Sequence, residues 1–278
     1  MSFPSLPLEL LQAIARLLPQ HALPAFARTS SALAQLAQRV LYRHLTPTHR
    51  TLVLIPLLAR KQHIARHVRS FHLALDPAAP IFAPFYTLLV DALHNMSDLH
   101  SLHLHLDPSA SWVLRSAAPT HLVHFTATFP LDDNVARFLH LTPALRELEL
   151  DSTIRSPASL PSLPETSIPR LEQFIGSSCA ASLVVPGRPV SSIHLHESTL
   201  SEDDIPLLAR SSAQVLVLQA ITNSSPVPFL HLLCHHLPHL AYLRVSCTHP
   251  LSHSPVSCLI HIRSTNSPYL SGILQAGG

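Results

Sequence analysis

Apolar residues within the first 45 positions recur at spacings of three and four, which predicts three short helices. Leu10, Ile14 and Leu17 define the first helix, and Pro19 ends it. A second helix begins at Pro24. The third helix carries one apolar face, formed by Leu33, Leu36, Val40 and Leu41. Helices this short cannot bury all of these side chains among themselves, so their apolar faces must pack on the rest of the chain or on a partner.

From residue 68 onward, an apolar pattern of the form L-x-x-L-x-L returns at intervals of 19 to 31 residues. The mean interval of about 25 residues matches a leucine-rich repeat, in which each unit is a strand followed by a return segment. One copy reads Ala213-Leu216-Leu218, and another is interrupted by Gly176. The copies begin at Val68, Leu99, Leu122, Leu145, Leu171, Val190, Ala213 and Leu240. An ordinary α/β domain of alternating strands and helices is the alternative.

Polar residues stand where several helices are expected to begin. Thr29 or Ser30 can cap the third N-terminal helix, and helices are predicted at 84–95 and 132–140 between copies of the repeat. Ser201 can cap a further helix, because three carboxylates follow it in the position of the first turn.

The repeat also predicts which residues face away from the core. In each copy the three apolar residues point inward, so the fifth and seventh positions lie on the opposite, concave face. We expect this face to bind a protein target. Its fifth positions are His72, His103, Thr126, Glu149, Ile175, His194, Val217 and Arg244, and its seventh positions include His105, Asp151, His196 and Ser246.

These patterns predict an α+β or α/β protein that begins with a three-helix module and continues as an irregular solenoid. The module spans residues 1–46 and a linker helix spans 47–67. The repeat-like domain spans 68–248, and residues 249–278 form a tail or an incomplete cap, with a possible strand at 258–262.

Charge and composition limit the classes of partner that the protein is expected to bind. The 18 basic and 16 acidic residues nearly cancel, and no run of Lys or Arg predicts nucleic-acid binding. The 26 prolines divide the chain into short elements, and three of them interrupt the long uncharged stretch at 211–243, so we expect no membrane span. The four cysteines form no C-x-x-C pair, which favours reduced thiols in an intracellular protein, in the cytoplasm or the nucleus.

The sequence carries few signs of catalytic chemistry. The chain has no G-x-S-x-G, P-loop or G-x-G-x-x-G motif, and it contains only five glycines. Among its 22 histidines, the densest candidate metal cluster is Cys234, His235, His236 and His239, but Pro238 interrupts the helix and a second ligand group is missing. We therefore expect neither an enzyme nor a bound metal or other cofactor, although a histidine-dependent hydrolase is a third class to consider.

The N-terminal pattern resembles an F-box of the kind common in fungi. The resemblance covers residues 3–46 and consists of Leu6-Pro7-x-Glu9-Leu10-Leu11-x-x-Ile14, then Leu17-Leu18-Pro19, Leu23 and Leu41-Tyr42. Two features depart from that family: Leu8 stands where a polar or acidic residue is more common, and the third helix lacks a tryptophan.

The resemblance implies a docking site for a Skp-type adaptor, and through it a cullin–RING ubiquitin ligase. By position, the adaptor-binding residues would be Leu6, Pro7, Leu8, Leu10, Leu11 and Ile14, supported by Leu23, Leu33 and Leu36. The chain would then be a non-catalytic substrate receptor, with an unidentified protein target on the repeat. The alternative is a repeat-based interaction scaffold whose F-box-like segment does not bind the adaptor.

Overall fold

The computed structural model describes residues 6–48, 51–76, 83–150, 161, 163–247 and 262–263. The chain divides into two units, and each is described by itself. The first unit consists of residues 1–106 and 113–122, and the second of residues 107–112 and 123–278.

The first unit opens with three helices, as the apolar spacing predicts. They are α1 (Leu8–Leu17), α2 (Leu23–Ala27) and α3 (Ser31–Leu41), with a 3₁₀ turn at Gln20–Ala22 before α2. Ser30 is the N-cap of α3, because its hydroxyl accepts a hydrogen bond from the Leu33 amide at 3.2 Å. The helices are held together by a small apolar cluster of Leu11, Leu33 and Leu36, against which Leu6 and Phe26 pack.

The rest of the first unit alternates helices with parallel strands. The strands are β1 (His44–Leu45), β2 (Ser70–Ala74) and β3 (Ser101–His105), and they pair in chain order. The connecting helices are α4 (Leu54–Arg60) and α5 (Gln62–Ala65) between β1 and β2, and α6 (Ala83–Asn95) between β2 and β3. The predicted linker at 47–67 therefore contains two helices within its described part.

The second unit continues the same alternation over seven strands. These are β4 (His124–Ala127), β5 (Glu147–Leu150), β6 (Gln173–Gly176), β7 (Ser192–Thr199), β8 (Val217–Thr222), β9 (Tyr242–Cys247) and β10 (Ile262–Arg263). The intervening helices are α7 (Asp133–His140), α8 (Ser178–Val184), α9 (Ile205–Leu208) and α10 (Pro226–His236). Strands β4 to β9 are parallel, and β10 pairs antiparallel with β9.

The buried residues explain why this arrangement forms. Strand register places the central apolar residue of one copy beside that of the next, so that Phe71 pairs with Leu102 in the first unit. In the second unit the same alignment joins Phe125, Leu148, Phe174, Ile193, Leu218 and Leu243, all of them buried. The predicted fold class, an α/β chain with N-terminal helices followed by a repeat of strands, is confirmed.

One copy of the repeat lies two residues away from its predicted position. Leu218, not Leu216, pairs with Ile193, and Leu216 is 42% exposed. Gln219, not Val217, therefore occupies the fifth position of this copy and pairs with His194. Because side chains alternate with a period of two, a shift of two residues leaves the side chains within β8 on their predicted faces. Leu216, which was predicted to point inward, instead lies just before the strand and is exposed. The apolar pattern alone could not distinguish the two registers.

Gly176 interrupts the repeat for a steric reason. A Cβ atom at this position would lie 2.9 Å from the Leu150 carbonyl oxygen and 3.0 Å from the Phe174 ring. The neighbouring backbone and the aromatic ring thus fill the space that an apolar side chain occupies in the other copies.

The predicted helix starts are also found. Asp132 caps α7 by accepting a hydrogen bond from the Val135 amide at 2.9 Å. Ser201 and Asp204 form a capping box, and the 3₁₀ turn Glu202–Asp204 leads directly into α9. A further 3₁₀ segment spans Pro108–Leu114. Residues 155–160 and 162, and most of the C-terminal tail, lie outside the described residues.

Arg188 is the largest side chain that is fully buried, and it lies in the second unit. Its guanidinium donates hydrogen bonds to six backbone carbonyls, among them those of Pro164 at 2.7 Å, Val184 at 2.8 Å and Ser167 at 2.9 Å. Burial lowers the pKa of Arg188, and the nearby Glu165 carboxylate partly opposes that effect. The side chain thus ties the segment at 163–167 to the C-terminal end of α8.

Replacing Arg188 with Met should destabilise the second unit by about 3 kcal/mol or more, because buried carbonyls would lose their donor. Chemical denaturation followed by circular dichroism measures this change. The matched control is Arg170→Met, which removes the same charge from an exposed position. Equal stability of the two variants would show that the Arg188 hydrogen bonds contribute little.

Candidate interaction surfaces

The first candidate surface is an apolar strip on α1, formed by Leu10, Ile14 and Leu17. Leu10 and Leu17 are large apolar side chains on an amphipathic helix, yet Leu10 is 52% exposed and Leu17 is 87% exposed. They are seven residues apart, or about two turns, so they lie on one side of the helix with the half-buried Ile14 between them. Leu8, at the start of α1, is 55% exposed. Large leucine side chains left in water at this density are typical of an interaction surface.

The residues predicted to bind an adaptor divide into two groups. Pro7, Leu8 and Leu10 are exposed, and Ile14 and Leu6 are half-buried. The remaining four lie inside the helical module: Leu11, Leu23, Leu33 and Leu36. These four side chains stabilise the packing of α1 to α3, so only the first group is accessible from outside.

The second candidate surface is the polar strand face of the first unit, formed by His72, His103 and His105. The three side chains are half-buried. The His72 ring lies 5.5 Å from the His103 ring and 5.6 Å from the His105 ring, measured between centroids. Ser101 Oγ is 2.9 Å from His103 Nε2. Within the described parts of the chain, no group of three His, Cys, Asp or Glu residues has the geometry to hold a metal ion.

The polar strand face of the second unit carries cross-strand polar contacts. His124 Nδ1 lies 2.7 Å from Glu147 Oε2, and Thr126 donates a hydrogen bond to Glu149 at 3.1 Å. His194 Nδ1 lies 3.4 Å from the Gln219 side-chain oxygen on the next strand.

Two further predicted residues of this face are accessible, since His196 is half-buried and Arg244 is exposed. Asp151 lies outside the described residues. The face presents imidazole, carboxylate, amide and guanidinium groups on a rigid set of strands, an arrangement suited to hydrogen bonding with another protein.

A basic groove in the first unit was not anticipated from the sequence. Its cavity has a volume of about 680 Å³ and is lined by Gln12, Arg16, Arg39, Val40, Arg43, His44, Arg66, His67, Arg69 and Asp98. A signal for it does exist in the chain. The first 75 residues contain nine Lys or Arg residues and a single acidic residue, Glu9, although the whole protein is nearly neutral. The groove was not predicted because its arginines are separated along the chain.

The chain is an α/β repeat protein with an N-terminal segment of three short helices. No protein-family model matches the chain, and no curated protein matches its sequence. In the described ranges, none of the helices combines the length and the apolar character needed to cross a bilayer.

Replacing the exposed leucines of α1 should leave folding almost unchanged. We expect Leu10→Gln combined with Leu17→Gln to alter the free energy of unfolding by less than about 1 kcal/mol, because both side chains are already largely hydrated. Leu36→Ala, in the apolar cluster of the same module, should cost about 2 to 4 kcal/mol. Chemical denaturation of the three proteins tests this division, and a large loss of stability in the double variant would place the strip in the core.

Proposed function

We propose that this chain is a non-catalytic substrate-receptor subunit of a cullin–RING ubiquitin ligase. Its α1 strip docks a Skp-type adaptor, and its polar strand faces bind a protein target. The observation that carries the proposal is the exposure of Leu10 and Leu17 within a segment whose residues resemble an F-box.

The energetics of the strip favour a protein partner. Complete burial of a leucine side chain against a partner contributes about 1.5 to 3 kcal/mol, and both exposed leucines point to the same side of α1. In the isolated chain most of that burial is not realised for Leu17, which is 87% exposed, and about half is not realised for Leu10, which is 52% exposed. Their neighbours Leu11 and Leu36 hold α1 rigidly on α3, so the strip is preorganised and little conformational entropy is lost on docking.

The polar strand faces are the second proposed binding surface, the one for a protein target. Parallel strands in register hold His194, Gln219 and Arg244 at adjacent positions in successive copies. A polar surface of this kind recognises a target by hydrogen bonds and charge while requiring no bond chemistry of its own. The receptor would raise the rate of ubiquitin transfer by proximity, because it holds the target near a conjugating enzyme. Such a subunit acts inside the cell, in the cytoplasm or the nucleus.

Adaptor docking can be tested by co-purification of the full chain with a Skp-type adaptor. Leu10→Asp combined with Leu17→Asp should abolish co-purification, because the carboxylates would have to lose their hydration at the interface. The control is Ser212→Asp combined with Gln214→Asp, which adds the same charge at exposed positions of the second unit. Circular dichroism should be unchanged in both variants.

Two results would contradict this half of the proposal. A well-folded wild-type protein that does not bind the adaptor favours the repeat-based scaffold. Unfolding of the α1 double variant, with normal behaviour of the control, would mean that the strip serves internal packing instead.

Target binding can be tested separately by comparing the proteins that are retained on the adaptor-bound complex. Arg244→Glu combined with His196→Glu should remove a subset of them, because it replaces a guanidinium and an imidazole of the second-unit polar strand face with carboxylates, while adaptor binding persists. The control is Arg210→Glu combined with His239→Glu, at exposed positions outside the strands. Identical retention by the two double variants, measured by quantitative mass spectrometry, would argue against this face as the target site.

A further inference from the structure

We propose that the basic groove of the first unit binds a compact ligand carrying two or more phosphate groups. The five arginines that line it are Arg16, Arg39, Arg43, Arg66 and Arg69. They come from α1, from the C-terminal end of α3 and the residues that follow it, and from the turn between α5 and β2. This proposal does not depend on adaptor docking or on a protein target.

The groove holds much more positive charge than the protein around it neutralises. Asp98 is the one carboxylate among the lining residues, against five guanidinium groups. The ion pairs His124–Glu147 and Arg146–Glu172 lie in the second unit and involve none of these five arginines. Guanidinium groups that converge on one concavity repel one another and focus a positive potential there. An anion in the groove would relieve that repulsion.

The imidazole of His67 also lines the groove and lies near several of its cations. Burial lowers the pKa of His67, and the positive charges of Arg66, Arg39 and His63 lower it further, whereas Asp98 acts in the opposite direction. An anion bound beside this imidazole would offset the charge of the neighbouring cations.

The lining residues favour phosphate over other anionic ligands. Arginine presents a planar fork of donors that matches phosphate oxygens in a bidentate way, and all five cations of the groove are arginines. Val40 is the single apolar side chain of the lining, and no Phe, Tyr or Trp lines the groove to stack a nucleobase. The cavity volume of about 680 Å³ falls within the range of small-molecule sites.

The groove and the α1 strip can be examined separately. At about 100° per residue, Arg16 lies roughly 100° from Leu17 and 120° from Leu10 around the axis of α1. Gln12 and Arg16 therefore face the groove from one side of the helix, while the exposed leucines occupy another. A ligand in the groove would touch α1 without covering the strip.

The test is isothermal titration of the full-length protein with tripolyphosphate at physiological salt. Orthophosphate should bind more weakly, because it engages fewer arginines. Arg16→Gln combined with Arg66→Gln should weaken tripolyphosphate binding by about tenfold or more, since each charged hydrogen bond contributes on that scale. Both side chains are exposed, so the variant should fold. The matched control is Arg28→Gln combined with Arg60→Gln, which removes the same charge from exposed positions of the same unit outside the groove.

Two further measurements locate the ligand. Arg39→Lys keeps the charge but removes the bidentate fork, so its affinity should fall between those of the wild type and the double variant. The NMR titration of His67 should show a higher pKa with tripolyphosphate bound, because an adjacent anion favours the imidazolium. Vesicles containing a phosphorylated inositol headgroup distinguish a lipid source from a free phosphate ligand, since a lipid source requires vesicle binding that the groove variant loses.

Several outcomes would overturn the proposal. It fails if tripolyphosphate does not bind the wild type at physiological salt, or if the control pair loses as much affinity as the groove pair. It also fails if single-stranded RNA binds more tightly than tripolyphosphate and with the same dependence on Arg16 and Arg66, because the site would then serve a nucleic acid.

Discussion

The structure depends on the alignment of buried apolar residues from strand to strand. Within each unit, parallel pairing places a central residue such as Phe125 beside Leu148, and Leu148 beside Phe174. Because a strand alternates its side chains, this alignment also determines what points the other way. The polar faces of the two units therefore follow from the packing of their cores.

The N-terminal helices obey a different constraint. They are too short to enclose a core of their own, so a few residues such as Leu11 and Leu36 hold them together while Leu10 and Leu17 stay in water. A large core would have taken up these side chains. Because the module can bury so few side chains, its exposed leucines remain available to a partner. The small size of the segment is therefore consistent with the proposed docking function.

Much of the fold could be predicted from local patterns. The periods of apolar residues identify helices and strands directly, and caps such as Ser30 and Asp132 mark their starts because each satisfies a free backbone amide. The register around Leu216 could not be predicted, since a shift of two residues preserves the alternation of inward and outward side chains. The division of the residues predicted to bind an adaptor into exposed and buried groups also required the structure, because most of them are leucines and the apolar pattern does not separate the two groups.

The sequence by itself determined the alternation of helices and strands, the apolar face of each one and the polar character of the opposite face, because these properties arise from the spacing of neighbouring residues. Only the tertiary structure decided which distant side chains meet. Arg16 and Arg66 are 50 positions apart and neither predicts the other, yet both line one cavity. The burial of Arg188 among carbonyls from separate segments likewise depends on residues that are distant in the sequence. Such sites form when distant segments of the chain fold together, and the local spacing of apolar residues carries no information about that.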